Sequence, residues 1–175
     1  MEQIDEKTFA QLARLAGFGR TGFCSAAAFT AEREAVERGP EIAERRQLRF
    51  EPTADDPRTK SIAVMLWPYV PAAQEEDGCV FVDGYYFASN AAYHAARALE
   101  AQLTEAGHFA KANVSYPARE AALRAGMGVI GQNGMLITPE YGSRFVIILM
   151  ATDIVHTTPD SGEHGGCLHC GRCAK

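Results

Sequence analysis

The sequence predicts an α+β fold in which a mixed β-sheet is covered by helices. Amphipathic helical patterns alternate irregularly with short apolar runs along its 175 residues, which is typical of helices that pack on a sheet. A chain of this length supports about one domain, and 47% hydrophobic with 22% charged residues is the composition of a globular protein. We expect one domain over residues 1–153, followed over residues 154–175 by a linker and the beginning of a cysteine-rich segment.

Helical patterns dominate the first part of the chain. Residues 5–16 place apolar side chains at helical spacing, with Asp5 as the N-cap. Thr30 can cap a charged helix that runs to residue 39. A further helix is predicted over residues 40–46, because proline suits the first turn of a helix.

The middle of the chain is predicted to begin the sheet. Residues 50–60 contain two prolines and two aspartates, which favours a loop. The apolar run 61–67 predicts a buried strand, and residues 79–82 predict a second one. Asp83-Gly84 is a turn signal, so we expect a hairpin that continues into residues 85–87.

Helices and strands are both predicted in the second half of the chain. Residues 89–106 carry the clearest helical pattern, residues 109–115 alternate weakly as a strand would, and residues 117–125 predict a short helix that begins at a proline. Two apolar strands, 135–138 and 145–152, are separated by a turn sequence and are predicted to pair antiparallel.

Charge and hydropathy argue against several classes of function. Lysine and arginine number 17 against 22 aspartates and glutamates, so the formal net charge is −5, the wrong sign for a protein that binds nucleic acid by neutralising phosphates. Five arginines between residues 33 and 49 are interleaved with glutamates, which favours a solvated helix face. No apolar run is long enough to cross a bilayer and the start lacks a signal-peptide pattern. We expect a cytoplasmic protein without membrane contact.

The five cysteines fall into two groups. Cys24 and Cys79 are isolated in apolar surroundings and are predicted to be buried. Cys167, Cys170 and Cys173 form two successive C-x2-C steps, the opening of the bacterial ferredoxin pattern that binds a [4Fe-4S] cluster. A fourth cysteine is expected at position 177, beyond Lys175, so we expect the native chain to continue.

Two other interpretations of the cysteine run stay open. A zinc ion could bind the three cysteines together with His164, since zinc accepts a tetrahedral Cys3His set. Alternatively, the run could be a tail whose thiols bind nothing.

Two glycine patterns match the dinucleotide-binding motif but not its context. Residues 17–22 and 126–131 both read G-x-G-x-x-G. That motif works when a strand precedes the glycines and a helix follows them, so that a pyrophosphate lies on the helix N-terminus. Both patterns here follow a predicted helix and lead towards a strand. A nicotinamide site is therefore not predicted, although the second loop could hold a ligand by another geometry.

Residues 117–173 resemble the epoxyqueuosine reductase family and its shorter relatives, the 4Fe-4S double-cluster proteins. The stretch 119–137 reads REAALRAGMGVIGQNGMLI and is followed at 139–145 by PEYGSRF. The resemblance extends through residues 152–154 to the cysteine run, and weaker likeness covers most of the chain.

The resemblance implies the reductase-domain fold and a cobalamin-dependent reductase, related to reductive dehalogenases, in which [4Fe-4S] clusters feed electrons to base-off cobalamin. Cluster and corrin would then share one site, where glycines allow a large planar macrocycle to approach closely. The metal ligands would be Cys167, Cys170 and Cys173. The residues expected to line the cofactor cavity are Gly128, Gly131, Asn133, Gly142 and Ser143.

The sequence departs from the family around residues 112–117. The family's catalytic aspartate has no counterpart there, and the lysine often found after the third glycine is Gln132. Tyr116 and Ser115 are the candidate proton donors, although tyrosine with a pKa near about 10 is a weaker acid than a carboxyl group. This departure and the acidic charge argue against epoxyqueuosine and tRNA, and leave a small molecule or modified nucleoside as the substrate.

Three functions are consistent with these observations. The leading hypothesis is an iron-sulfur and cobalamin-dependent reductase, served by an electron-donor protein. The second is an iron-sulfur electron-transfer or binding protein that kept the fold without the chemistry. The third is a zinc-binding interaction module.

Overall fold

The computed structural model describes residues 4–38, 47–70 and 82–162. In chain order, the elements are α1 (Glu6–Leu15), β1 (Arg20–Ser25), α2 (Thr30–Glu37), α3 (Pro52–Asp55), β2 (Ser61–Pro68), α4 (Gly84–Glu105), β3 (Ala110–Ala112), α5 (Ala118–Arg124), β4 (Val129–Ile130), β5 (Leu136–Ile137) and β6 (Phe145–Thr152). The predicted helix over residues 40–46 and most of the predicted strand 79–82 lie outside the described residues.

A four-stranded sheet in the order β1-β2-β6-β3 forms the centre of the fold. Its pairings are all antiparallel, with Cys24 opposite Ile62 and Ala63 opposite Met150. The prediction of an α+β fold with a helix-covered sheet is confirmed. The two central strands are the longest apolar runs of the sequence, because both of their faces are buried.

Side chains alternate between two cores along the central strands. On β2, Ala63 and Met65 face α1 and α4, whereas Ile62, Val64 and Leu66 face α5 and the loop after it. Strand β6 alternates in the same way, as the period of two in a strand requires. The sheet is therefore the middle layer of three.

The helices on the first face follow their predicted patterns. Asp5 caps α1 by accepting a hydrogen bond from Thr8 N at 2.8 Å. Hydrogen bonding from the Thr8 side chain, and then from this backbone N–H, lowers the pKa of the Asp5 carboxyl. Phe9 and Ala13 of α1 are fully buried. Helix α4 packs on the sheet through a buried stripe of three alanines and two leucines, formed by Ala88, Ala92, Ala96, Leu99 and Leu103.

Three local predictions, of a turn, a helix cap and a loop, are wrong. Asp83-Gly84 does not turn a hairpin, because the Asp83 side chain accepts a hydrogen bond from Tyr85 N at 2.7 Å and caps α4. The helix thus begins five residues earlier than predicted, at Gly84. Helix α2 begins at Thr30, which is not its cap, and the predicted loop 50–60 contains the short helix α3.

The predicted pairing of residues 135–138 with residues 145–152 is also wrong. Strand β5 pairs with β4, two residues each, across a tight loop in which Gly131 N donates to Met135 O at 2.9 Å. Thr138 and Gly142 then exchange backbone hydrogen bonds and close a second turn. After this turn, β6 does not pair with β5, the preceding strand, but with β2 and β3.

None of the helices within the three described ranges is long and apolar enough to cross a membrane.

Candidate functional site

Cavities surround α5, the segment before it and the glycine loop after it. The α2–α5 cavity, about 600 Å³, is lined by Glu32, Ala35, Val36, Leu48, Phe50, Tyr116, Pro117, Ala118, Arg119, Glu120, Ile130 and Gly134. The polar chamber, about 140 Å³, is lined by Arg49, Asp55, Asp56, Thr59, Lys111, Ala112, Asn113, Val114, Ser115, Tyr116 and Ala151. The glycine cavity, about 610 Å³, is lined by Arg20, Gly126, Met127, Gly128, Val129, Ile137, Thr138, Pro139 and Glu140.

Tyr116, a predicted proton donor, forms part of the wall between the α2–α5 cavity and the polar chamber. Its ring is buried and stacks on Phe29 with 6.1 Å between ring centroids. Burial, and then the Asp55 carboxylate, which accepts a hydrogen bond from the phenol, raise the pKa of Tyr116. Because Asp55 lines the chamber, the hydroxyl is held on the chamber side. Ser115 lines the same chamber, so the structure brings both predicted donors together.

The two aspartates that line the polar chamber are each paired with an arginine. Arg49 Nη1 donates to Asp55 Oδ1 at 2.8 Å, and Arg58 chelates Asp56. The Arg58 hydrogen bonds lower the pKa of Asp56 to about 2. The buried Thr59 hydroxyl has no hydrogen-bond partner among the described residues, so a chamber of this size and polarity can hold water.

Gly128 lies where the glycine loop approaches the β4–β5 hairpin most closely. A Cβ at this position would stand 2.3 Å from Ile137 O, so only glycine lets the two backbones pass. Gly128 also lines the glycine cavity. The hairpin therefore requires glycine at position 128, and the same residue forms part of the cavity wall.

The other predicted cofactor residues lie in the two turns of this region. A Cβ on Gly131 would stand 2.9 Å from Asn133 Oδ1, which itself accepts a hydrogen bond from Met135 N. The loop is thus filled by its own side chains. Gly142 has φ +58° and open space around its Cβ direction, and Ser143 follows it in the turn before β6.

An ion pair closes one rim of the glycine cavity. Arg20 at the start of β1 pairs with Glu140 at 3.1 Å and donates to Met127 O at 3.2 Å. The walls between are apolar, with Met127, Val129 and Ile137. Sequence reasoning missed Arg20, because it lies more than a hundred residues from the loop it contacts.

Residues 160–162, the last residues that the structure describes, pack against α5. Ser161 N donates to Arg124 O at 2.8 Å, and the Ser161 backbone bridges to Ala125. A Cβ on Gly162 would stand 2.2 Å from Leu123 O. The chain that leads towards the cysteine run is therefore held at the C-terminal end of α5, beside the glycine loop.

The predicted metal ligands Cys167, Cys170 and Cys173 lie outside the described residues. Within the described part of the chain, histidine, cysteine and acidic side chains form no group that could hold a metal ion. Cys24 is fully buried as predicted, and burial raises the pKa of its thiol to about 12.

Sequence reasoning also missed two carboxylates in the cavities that Tyr116 lines. Asp55 comes from α3, which was predicted as a loop, and Glu32 comes from the exposed-looking helix α2. Neither residue carries a local motif, so no sequence signal could have identified them.

Solved structures of other proteins share this fold. Epoxyqueuosine reductase from Streptococcus thermophilus is 23% identical, with a TM-score of 0.70 over 96% of this chain and 50% of that chain. A structure of epoxyqueuosine reductase with an epoxyqueuosine-modified tRNA stem loop is 22% identical, with a TM-score of 0.72 and the same coverage.

More distant structures share the fold as well. A reductive dehalogenase whose structure suggests a mechanism for B12-dependent dehalogenation is 16% identical, with a TM-score of 0.63 over 93% of this chain and 22% of that chain. No protein-family model and no curated protein sequence matches the chain. The chain thus has the fold that these epoxyqueuosine reductase and reductive dehalogenase structures share. The chain spans about half the length of the epoxyqueuosine reductases it matches.

Proposed function

We propose that this chain is the cofactor-binding part of an iron-sulfur and cobalamin-dependent reductase that acts on a small molecule or a modified nucleoside. The shared fold supports the cofactor class, and the cysteine spacing supports a [4Fe-4S] cluster. An electron-donor protein would supply the reducing equivalents.

The docking of residues 160–162 on α5 is the observation that carries this proposal. Gly162 lies against Leu123, immediately before the glycine loop. Five residue steps separate Gly162 from Cys167, a reach of at most about 18 Å when extended. This short connection supports a cluster at Cys167, Cys170 and Cys173 that lies beside the glycine cavity and exchanges electrons with a cofactor there.

The residues of the glycine cavity fit one face of a corrin. Gly126 and Gly128 leave a wall without large side chains, and Val129 and Ile137 present apolar surface to a planar group. At the rim, Arg20 can donate hydrogen bonds to polar substituents of the corrin, and Glu140 can accept hydrogen bonds from them. A bound cobalamin would supply the low-potential cobalt centre for reduction.

Tyr116 and Ser115 are the proposed proton donors on the chain itself. The raised pKa of Tyr116 keeps its phenol protonated throughout the neutral range. Such a group gives up its proton only to a strongly basic acceptor, which suits the anionic product of a reduction. Asp55 and Ser115 both line the polar chamber, on the side of the Tyr116 ring that carries the hydroxyl.

Titration with cob(II)alamin tests the cofactor directly. A saturable shift of the absorption band to the base-off form is expected for the 175-residue chain, and the same shift for a protein extended through the fourth cluster ligand. Failure of the extended protein to bind any corrinoid would contradict the proposal.

Metal analysis of the anaerobically purified extended protein separates cluster from zinc. Iron with acid-labile sulfide is expected. Zinc without iron would instead identify a zinc-binding module with the Cys3His ligand set that includes His164.

A non-catalytic electron-transfer protein is the second candidate. Residues 113–116 carry no carboxylate, and the Tyr116 hydroxyl is engaged with Asp55, which favours a fold retained without proton-transfer chemistry. Reduction of a test epoxide by the extended protein, with cobalamin and a low-potential donor, would eliminate this alternative.

A further inference from the structure

Arg20, the first residue of β1, contacts two separate loops that line the glycine cavity. Its guanidinium donates to two successive carbonyls of the glycine loop, through Nη1 to Met127 O at 3.2 Å and through Nη2 to Gly126 O at 3.4 Å. The same Nη1 donates to Glu140 Oε2 at 3.1 Å, in the turn between β5 and β6. Because all four residues line the cavity, one side chain joins its two loop walls.

The two carbonyls that Arg20 holds come directly after the end of α5. The carbonyls of the last turn of this helix accept hydrogen bonds from other backbone nitrogens. The donors are the nitrogens of Ala125, Met127, Gly126 and Ser161, and the acceptors, in the same order, are the oxygens of Ala121, Ala122, Leu123 and Arg124. Gly126 has φ +63°, the left-handed conformation that commonly ends a helix. The carbonyls of Gly126 and Met127 follow, and since backbone carbonyls need donors, the orientation of these peptide groups depends on Arg20.

The position of Arg20 itself is determined by the sheet. Arg20 pairs with Leu66 of β2 in the antiparallel register, and β2 is a central strand. The Arg20 side chain is 32% exposed and that of Glu140 49%. An ion pair as exposed as this one contributes little to stability by itself, so the effect of Arg20 is expected at the loop carbonyls.

The contacts of Arg20 require the planar fork of an arginine. The two Nη nitrogens of a guanidinium are a fixed distance apart and carry two N–H groups each, so one side chain can bind two carbonyls and a carboxylate together. A lysine keeps the positive charge but has a single terminal nitrogen on a flexible stem. Charge and positioning can therefore be separated by substitution at this residue.

We propose that Arg20 is the positioning residue of the glycine cavity and sets the separation between the glycine loop and the turn 138–142. The inference deepens the proposed function, because its consequence for cobalamin affinity rests on a corrin in this cavity. Its consequence for the loop requires no cofactor.

Hydrogen–deuterium exchange of the 175-residue chain tests the positioning. The amides of Gly126 and Met127 donate to carbonyls of α5, so their exchange rates report on opening of the loop. In Arg20→Met, both amides are expected to exchange about tenfold faster or more, whereas amides of β2 and β6 keep the rates of the parent chain. Arg14→Met, at an exposed arginine of α1 outside the cavity lining, is the control and should change neither set.

Two further variants separate positioning from charge. Arg20→Lys should lose the amide protection as Arg20→Met does, because one nitrogen cannot hold both carbonyls. Glu140→Gln removes the charge of the pair but keeps an acceptor for Arg20, and should retain the protection of both amides. Wild-type protection in either Arg20 variant, or faster exchange throughout β2 and β6 in Arg20→Met, would overturn the inference.

Cobalamin titration of the same proteins separates this inference from the proposed function. Where the parent chain gives the base-off shift, Arg20→Lys and Arg20→Met should each weaken corrinoid affinity by about tenfold, and unchanged affinity in both would overturn the inference. If the parent chain and the extended protein bind no corrinoid, the proposed function fails, while the exchange rates still decide whether Arg20 positions the loop.

Discussion

Asp160 accepts two hydrogen bonds from Ser25, one from the backbone nitrogen at 2.7 Å and one from Oγ at 2.6 Å. The contact joins the segment after β6 to the end of β1, the edge strand of the sheet. Together with the packing of Gly162 on Leu123, it holds residues 160–162 against β1 and α5. The position of the proposed cluster relative to the glycine loop would thus depend on how residues 160–162 are held.

Removing the Asp160 carboxylate should loosen this segment without unfolding the domain. Asp160→Ala is expected to lower the free energy of unfolding by about 1 kcal/mol, since the side chain is exposed and water replaces part of the lost bonds. In the extended protein, slower reduction of bound cobalamin by the cluster is expected. Thr158→Ala, an exposed side chain of the same segment, is the control for both measurements. Unchanged stability and reduction rate in Asp160→Ala would show that the docking does not matter.

Gly128 should tolerate no side chain. In Gly128→Ala, the new Cβ would meet Ile137 O at 2.3 Å, so the β4–β5 hairpin must shift. A loss of about 1–3 kcal/mol in stability is expected, with loss of the corrinoid-induced absorption shift. Gly107→Asn is the matched control, because Gly107 follows the end of α4 away from the glycine cavity and asparagine tolerates its φ of +86°. Wild-type corrinoid affinity in Gly128→Ala would place the cofactor elsewhere.

Local chemistry in the sequence was enough to predict most elements. Asp5, the apolar run 61–67 and Pro117 each determine their element through neighbours a few residues away, and those predictions agree with the structure. The wrong predictions lie where a short sequence pattern is compatible with two different local structures. Asp83-Gly84 suits a hairpin turn and a helix N-cap equally well, and the choice depends on the packing of α4 against the sheet.

The candidate site was less predictable than the fold. Tyr116 and Ser115 were identified through their place before the glycine loop, and they do meet in one chamber. Their partner Asp55 and the cavity carboxylate Glu32 come from elements that pack nearby only in the folded chain. Pairing across such sequence distances leaves no periodic pattern, so only the structure could reveal it.

High pH should destabilise the protein through Cys24. Burial raises the pKa of the folded thiol to about 12, whereas the unfolded thiol titrates at about 8.5. Above that pH the unfolded state binds fewer protons than the folded state, so the free energy of unfolding falls as pH rises. In urea titrations between pH 8 and 10, Cys24→Ala should show a shallower decline, by up to about 1.4 kcal/mol per pH unit. Identical slopes in the two proteins would refute a buried neutral thiol.

Transfer RNA is not expected to bind this chain, although a structure with the same fold contains a tRNA stem loop. The net charge is −5, and several arginines pair with carboxylates, including Arg33 with Glu51 and Arg49 with Asp55. Such pairs leave little uncompensated positive charge for phosphates. A fluorescence-anisotropy titration with a labelled anticodon stem loop at physiological salt should show no saturation. Saturable binding that weakens steeply with added salt would reverse the assignment.

Tyr116 should separate proton transfer from cofactor binding. Tyr116→Phe keeps the ring that stacks on Phe29 and removes the hydroxyl that donates to Asp55. In the extended protein, turnover of a test epoxide is expected to fall by about 10² or more, in the range of a lost general acid, while the corrinoid affinity stays unchanged. Ser115→Ala tests the second donor in the same chamber, and Asp55→Asn tests whether the carboxylate only orients the phenol. Since the Asp55 carboxylate raises the pKa of Tyr116, Asp55→Asn should lower that pKa, visible as earlier tyrosinate absorption that is absent in the double variant with Tyr116→Phe. Full activity in both Tyr116→Phe and Ser115→Ala would assign proton delivery to another group.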